Sequence, residues 1–328
     1  MKASRTIGGF AIILFVFSSV GYGQQNDLSA QLKNIIGTNA NSYLEPRASG
    51  LGADLNSGIY HSADLHSILG FDIGVKVGLA TISDEHKTFD FVLPSQIQYG
   101  AVTLNAGTDY DQIVPGSPTF AGSKTGKNVV VKSTSPQILL RGQTIFTTPA
   151  GFDYSRIGVF APQAAIGLPF GIEVIGRLLP SVNLGDAGKL NSYGFGLRYD
   201  VDQYIPFCPV DIAVHFMTQK VTIDDKSSNN IMSLAGTAFG AEVSKSIVFF
   251  TVYTGLQFES SNLSVNNYMY HDPQLNQDVS ISGFSLKGAD KTRFLVGFRM
   301  LLTLINIHAD YSFSKYPVLT AGVGISFR

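Results

Sequence analysis

Few residues in this sequence are equipped for chemistry. His215 falls in a strand-like segment from 209 to 222, and His308 stands two residues before Asp310 in another from 305 to 313. Residues i and i+2 of a strand share a face, so Asp310 could orient the His308 imidazole for proton transfer. No serine is tied to either histidine by a motif, so a hydrogen-bonded network is the plainer expectation and a hydrolase using His308 or His215 the lesser one. His61, Asp64 and His66 lie close together, as do His271 and Asp272. Without a recognised ligand spacing they read as polar loop residues, and no metal is expected. The segment Ala121 to Asn128 looks like a phosphate loop, but it lacks the first glycine, has Asn128 where Ser or Thr would hold magnesium, and leads into no helical pattern. It reads as a Gly-rich loop. The sole cysteine, Cys208, can form no internal disulfide. No catalytic residue, enzyme activity or cofactor is therefore predicted.

What must position these side chains is set by composition. Of 328 residues 45% are hydrophobic and only 14% charged, where soluble domains carry roughly 25% charge. Such a chain must fold, yet it lacks the charge to cover a large soluble surface. Its formal net charge of -1 offers no basic face for nucleic acid.

The N-terminus reads as an address. Lys2 and Arg5 precede an apolar run from Gly8 to Val20, then Gly21-Tyr22-Gly23 with small residues where a signal peptidase needs them. The run is too short to span a bilayer, so residues 1–23 are expected to be a removed secretory signal.

After it, Leu28, Leu32, Ile35 and Ile36 recur at helical spacing in a segment ending before Glu45-Pro46, and a Gly- and Ser-rich stretch runs from Ala48 to Gly70. Residues 24–69 are read as a helical, plug-like segment. From residue 70 to 328 the period is two. Ile305, Ile307, Ala309, Tyr311 and Phe313 alternate with Asn306, His308, Asp310, Ser312 and Ser314. Similar alternation marks segments near 71–80, 88–100, 137–147, 156–168, 170–180, 190–201, 209–222, 233–245, 247–259, 292–304 and 318–328. About 12 strands follow, within a range of 10 to 14. Short connections at one end and long polar ones at the other predict an all-β fold, a transmembrane antiparallel β-barrel.

A soluble sandwich also alternates, so the polar phase decides. Here it is mostly Gly, Ala, Ser and Asn with a few charges, which suits a crowded interior rather than a solvated face. Lys76, Arg177, Arg198, Arg293 and Arg299 all lie on the phase opposite their strand's apolar set. Turning all five toward lipid would cost at most on the order of 10 to 20 kcal/mol. The predicted lumen-lining set is Asp72, Lys76, Glu173, Arg177, Arg198, Asp200, His215, Glu242, Arg293, Arg299, His308 and Asp310. Its mixed signs do not make an ion-selective ring. The Gly-rich excursion from Ala101 to Ser135 either folds into the lumen or projects outward.

The signal peptide, the alternating strands from Phe71 onward and a last strand, Val318 to Arg328, with a near-terminal aromatic resemble bacterial outer-membrane β-barrel proteins. The resemblance implies that Phe327 belongs to an assembly signal read by the barrel-assembly machinery. It also implies outer-membrane lipid as surroundings and a Gram-negative outer membrane as location. More distantly, the N-terminal segment resembles the plug of long-chain fatty-acid transporter-type barrels, although their Asn-Pro-Ala motif has only the displaced Thr148-Pro149-Ala150 as counterpart. On these grounds a monomeric, porin-like channel or transporter for small or hydrophobic solutes is expected. A closed structural or surface-interaction barrel acting through loops 223–232 and 260–291 is the alternative, and a soluble secreted β protein the remainder.

Overall fold

The computed structural model describes residues 25–183, 188–225, 228–272, 277–281 and 283–327. The expected signal segment lies outside them. The chain runs α1 (Gln25–Leu55), β1 (Phe71–Thr81), β2 (Thr88–Val92), β3 (Gln96–Tyr99), β4 (Val102–Asn105), β5 (Ile113–Pro118), β6 (Asn128–Val130), β7 (Thr144–Thr147), β8 (Arg156–Leu168), β9 (Ile172–Asn183) and β10 (Lys189–Asp200). It continues with β11 (Asp211–Asp224), β12 (Asn230–Ile247), β13 (Phe250–Val265), β14 (Tyr268–Asp272), β15 (Gln277–Ile281), β16 (Phe284–Lys287), β17 (Thr292–Leu302), β18 (Ile305–Phe313) and β19 (Val318–Phe327).

The described residues form two compact units, one within 25–47 and 82–155 and the other within 48–81 and 156–327. The second is a closed barrel. Antiparallel pairing runs from β1 through β8, β9, β10, β11, β12, β13, β17 and β18 to β19, and β19 pairs back to β1. That makes ten strands, with β16 as an extra partner on β13 beyond the start of β17. Closure leaves the ring without an unpaired edge.

The count falls short of 12 for a definite reason. The alternating segments near 88–100 and 137–147 do form strands or turns, but they belong to the other unit. There Phe91, Leu93, Ile97, Leu104, Tyr110, Val114, Val129 and Val131 gather into a core of their own. The excursion from 101 to 135 is part of this unit. Residues of α1 join it: the Asn39 side chain both donates to Val92 O and accepts from Val92 N, at 2.8 and 2.9 Å, and the Tyr43 hydroxyl donates to Ala150 O at 2.6 Å. Rather than ending before Glu45-Pro46, α1 continues to Leu55 with Pro46 inside it.

The barrel is apolar outside and polar inside, the reverse of a soluble fold. On β18, Ile305, Ile307, Tyr311 and Phe313 are exposed while Asn306, His308, Asp310 and Ser312 are buried. On β1, Ile73, Val77 and Leu79 face out while Asp72 and Lys76 face in. Ring pairs such as Phe239 with Phe258, 5.3 Å apart, extend the outer belt across strands. Strands of 9 to 18 residues suffice to cross a hydrocarbon layer, which needs roughly 9 to 11. Among the described residues no helix is long and apolar enough to cross a membrane.

The two ends of the barrel differ. Connections 169–171, 201–210, 248–249 and 303–304, with the start of β1 and the end of β19, mark a turn end. Connections 184–188, 225–229, 266–291 and 314–317 mark a loop end, where residues 82–155 are also inserted between the paired Thr81 and Arg156.

Candidate functional site: a polar lumen threaded by the N-terminal segment

Strand alternation sends one side chain in two toward the barrel axis. Asp72, Lys76, Glu173, Arg177, Arg198, His215, Glu242, Arg293, Arg299, His308 and Asp310 are all buried in the barrel, and Asp200, at the last position of β10, is half-buried. Phe327 is exposed on the outer face and packs against Phe71, their rings 6.0 Å apart.

Residues 48–70 run through the lumen, and their contacts follow its axis in chain order. At the loop end, Ser49 Oγ accepts from Ala289 N at 3.0 Å and Ala53 O from Arg293 Nη2 at 2.5 Å. Midway, Leu55 O accepts from Arg177 Nη1 at 2.8 Å and Gln219 Nε2 at 2.7 Å, and Ser57 O from Arg177 Nη2 at 2.6 Å. Lys76 Nζ then donates to Gly58 O at 2.5 Å and Gln163 Nε2 to Ile59 O at 3.0 Å. Toward the turn end, Arg198 Nη2 donates to Ser62 O, and Ala63 N donates to Ser244 Oγ at 2.9 Å. Finally Leu69 N donates to Gly167 O at 3.0 Å. The last turn of α1 and the irregular stretch after it leave backbone carbonyls without partners in the segment itself, and the wall supplies their donors.

The small inward residues make this passage possible. A Cβ on Gly78 would collide with Asp54 Oδ1, and one on Gly255 with the Tyr60 hydroxyl. Tyr60 and Ile59 sit in an apolar patch of the lumen, with Ala165, Ile175, Met217, Ala238, Tyr253 and Leu295.

Around the segment the wall charges pair. Arg198 bridges Glu173 at 2.6 Å and Glu242 at 2.9 Å, His215 Nδ1 lies 2.5 Å from Glu242, and Arg293 lies 3.0 Å from Glu259. Asn306 Nδ2 donates to Asp72 Oδ2 at 2.8 Å and lies 2.9 Å from His61 Nε2. The His61 and His308 rings stand 4.7 Å apart. His66 joins Glu173 at 2.6 Å and Ser326 at 3.0 Å. At the loop end Asp290 accepts from Lys315 N at 2.8 Å and from Tyr316 N at 3.3 Å, and burial, followed by nearby Glu259, pushes its carboxyl up to about 6.

Not every polar atom is matched. Arg299, 2% exposed, has no hydrogen-bond partner for Nε or Nη1 among the described residues, and neither has His308 Nε2, His215 Nε2 or the Tyr60 hydroxyl. No three His, Cys, Asp or Glu residues among those described converge as a metal site: His61 and His66 are drawn to separate carboxylates, Asp72 and Glu173.

Several residues of this network escape a sequence reading. Gln163, Gln219, Gln257, Glu259 and Asn306 all occupy the inward phase of their strands, a signal the alternation contains. The pairing of His66 with Ser326, 260 positions apart, leaves no local trace.

Among solved structures, the translocator domain of the autotransporter NalP from Neisseria meningitidis is similar at 11% identity and TM-score 0.33, over 90% of this chain and 99% of that one. The outer-membrane protease OmpT from Escherichia coli is similar at 8% identity and TM-score 0.31, over 81% and 100%. Ail, the attachment invasion locus protein of Yersinia pestis, is similar at 13% identity and TM-score 0.22, over 79% and 99%. No curated protein matches the sequence. The architecture therefore rests on the strand register and the inverted burial described above, and the ten-strand ring adds nothing to the likeness to fatty-acid transporters. A family profile matches residues 1–327, and the chain belongs to that family, DUF6588, described as a family of unknown function.

Proposed function

We propose that the protein is a monomeric barrel of a Gram-negative outer membrane, through which small or hydrophobic solutes pass when residues 48–70 shift within the lumen. The single observation behind this reading is that wall side chains bond to the segment's backbone carbonyls at five successive points, Leu55, Ser57, Gly58, Ile59 and Ser62. Such donors are groups that water can satisfy in turn. A lumen meant to stay filled gains more from apolar packing, since replacing a buried ion pair by apolar residues is often neutral or stabilising by about 1 to 4 kcal/mol. The unmatched atoms of Arg299, His308 and Tyr60 add further points of attachment for water or a polar solute. In this reading the outer belt meets outer-membrane lipid, Phe327 serves the barrel-assembly machinery, and no cofactor takes part.

The test is conductance in planar bilayers. The full chain is expected to show rare, brief openings, and a variant lacking residues 24–69 long-lived ones. A silent deletion variant whose barrel is folded contradicts the reading. One observation favours a second reading, a closed barrel that presents its loops: the contacts with residues 48–70 are continuous from Ser49 to Leu69. Silence of both proteins, with binding of a surface partner lost on deletion of 260–291, supports it.

A further inference from the structure

Among the described residues four histidines lie in the lumen, and they differ in what each ring nitrogen meets. His215 has Glu242 on Nδ1 and no hydrogen bond on Nε2, while His61 and His308 lie ring to ring beside Asn306. His66 sits between a carboxylate and a hydroxyl. Its Nδ1 is 2.6 Å from Glu173 Oε2, and its Nε2 is 3.0 Å from Ser326 Oγ. Glu173 Oε2 also accepts the His66 backbone N–H at 3.2 Å, and Arg198 Nη1 holds Oε1 at 2.6 Å. An ionised carboxylate only accepts, so it fixes the tautomer with hydrogen on Nδ1 and leaves the Nε2 lone pair facing the serine hydroxyl. Nucleophile, base and orienting carboxylate thus stand in the relation that activates a serine.

The surroundings indicate what such a site would take. The chain reaches the surface just past His66, where Ile68 and Leu69 are 63% and 70% exposed. Leu69 bonds to Gly167 O beside the exposed Leu168, and the residue after Ser326 is the exposed Phe327, packed on Phe71. The rim is apolar. The lumenal side behind it is polar.

We propose that Ser326, His66 and Glu173 form an acyl-transfer site at the turn end of the lumen, acting on esters whose acyl group is a hydrocarbon chain. Ser326 Oγ attacks the ester carbonyl carbon while His66 Nε2 takes the hydroxyl proton. The bond to the leaving oxygen then breaks, and the departing alcohol takes that proton from His66, leaving an acyl group on Ser326. Water, deprotonated by His66, attacks the acyl carbon, the bond from that carbon to Ser326 Oγ breaks as His66 returns the proton to Oγ, and the carboxylic acid leaves. Glu173 acts as a positioning residue, holding the imidazole in its tautomer throughout. The inference is independent of conductance, since a closed barrel carries the same three residues at the same end.

The experiment uses full-length protein folded in detergent, with heat-modifiable gel migration as the check on folding. It is treated with a fluorescent alkyl fluorophosphonate, whose phosphorus bonds to an activated serine with loss of fluoride. Peptide mapping of the wild-type protein is expected to place the adduct on Ser326, a result that needs no variant to fold. His66→Asn is expected to slow labelling by on the order of 100-fold. Glu173→Gln should slow it and shift its pH profile, and Ser312→Ala, at another buried lumenal serine, should label like the wild type. Hydrolysis of p-nitrophenyl hexanoate should exceed that of the acetate and vanish in Ser326→Ala. A folded wild-type barrel without an adduct on Ser326, an adduct that forms equally fast in His66→Asn, or the absence of ester turnover overturns the proposal.

Discussion

Arg177 and Leu55 meet inside the barrel: Nη1 of the arginine, on β9, donates at 2.8 Å to the carbonyl of the last residue of α1. The same guanidinium reaches Ser57 O, Gln163 and Gln219, so one wall residue holds two plug carbonyls. Hydrogen bonds to charged groups contribute roughly 1.5 to 3 kcal/mol each. Arg177→Ala is expected to weaken the seating of the segment by about 3 kcal/mol or more, visible as a lower conversion temperature in heat-modifiable migration and more frequent channel openings. Unchanged values for both contradict the role given to Arg177.

Space at Gly255 is the complement of that bond. A side chain there collides with the Tyr60 hydroxyl, itself without a hydrogen-bond partner among the described residues. Gly255→Val should displace residues near Tyr60 and raise protease sensitivity within 56–66. Tyr60→Phe removes only the unmatched hydroxyl and should leave the conversion temperature equal or higher. A fall comparable to that of Gly255→Val would show that the hydroxyl has a partner after all.

Asp290 gives a pH dependence outside the strands. Its folded-state carboxyl, pushed up to about 6, holds its proton more tightly than an unfolded one. Its contribution is therefore complete below about pH 4 and is lost as pH rises through 6. The conversion temperature should drop between pH 4 and 7, and drop less in Asp290→Asn. An equal drop in both proteins assigns the effect elsewhere.

Connectivity predicts sidedness. The segment enters at the loop end and leaves at the turn end, where short turns of membrane barrels face the periplasm. In a Cys208→Ser background, a cysteine at Asn229 should react with a membrane-impermeant maleimide on intact cells, and one at Val248 only after the outer membrane is opened. The opposite pattern inverts the topology.

The alternation of β18 and the phase of its charges are legible in the sequence because a strand's two faces meet different solvents, and each residue records which. Strand number is less so. Phe91, Ile97 and Phe146 alternate like barrel residues but serve a separate core, and periodicity does not say which core a strand joins. The route of residues 48–70 is invisible for a related reason: its partners are backbone carbonyls, identical in every residue type. His66 reads as a loop histidine until closure of the ring brings Ser326 beside it.

The central claim is the inverted burial of the ring, and β18 tests it most directly. With Cys208→Ser protein in lipid vesicles, spin labels at Ile307 and Tyr311 should collide freely with oxygen dissolved in the bilayer, whereas a label at Ser312 should be shielded. Shielded labels at Ile307 and Tyr311 with a lipid-exposed one at Ser312 would turn the barrel inside out and contradict the account.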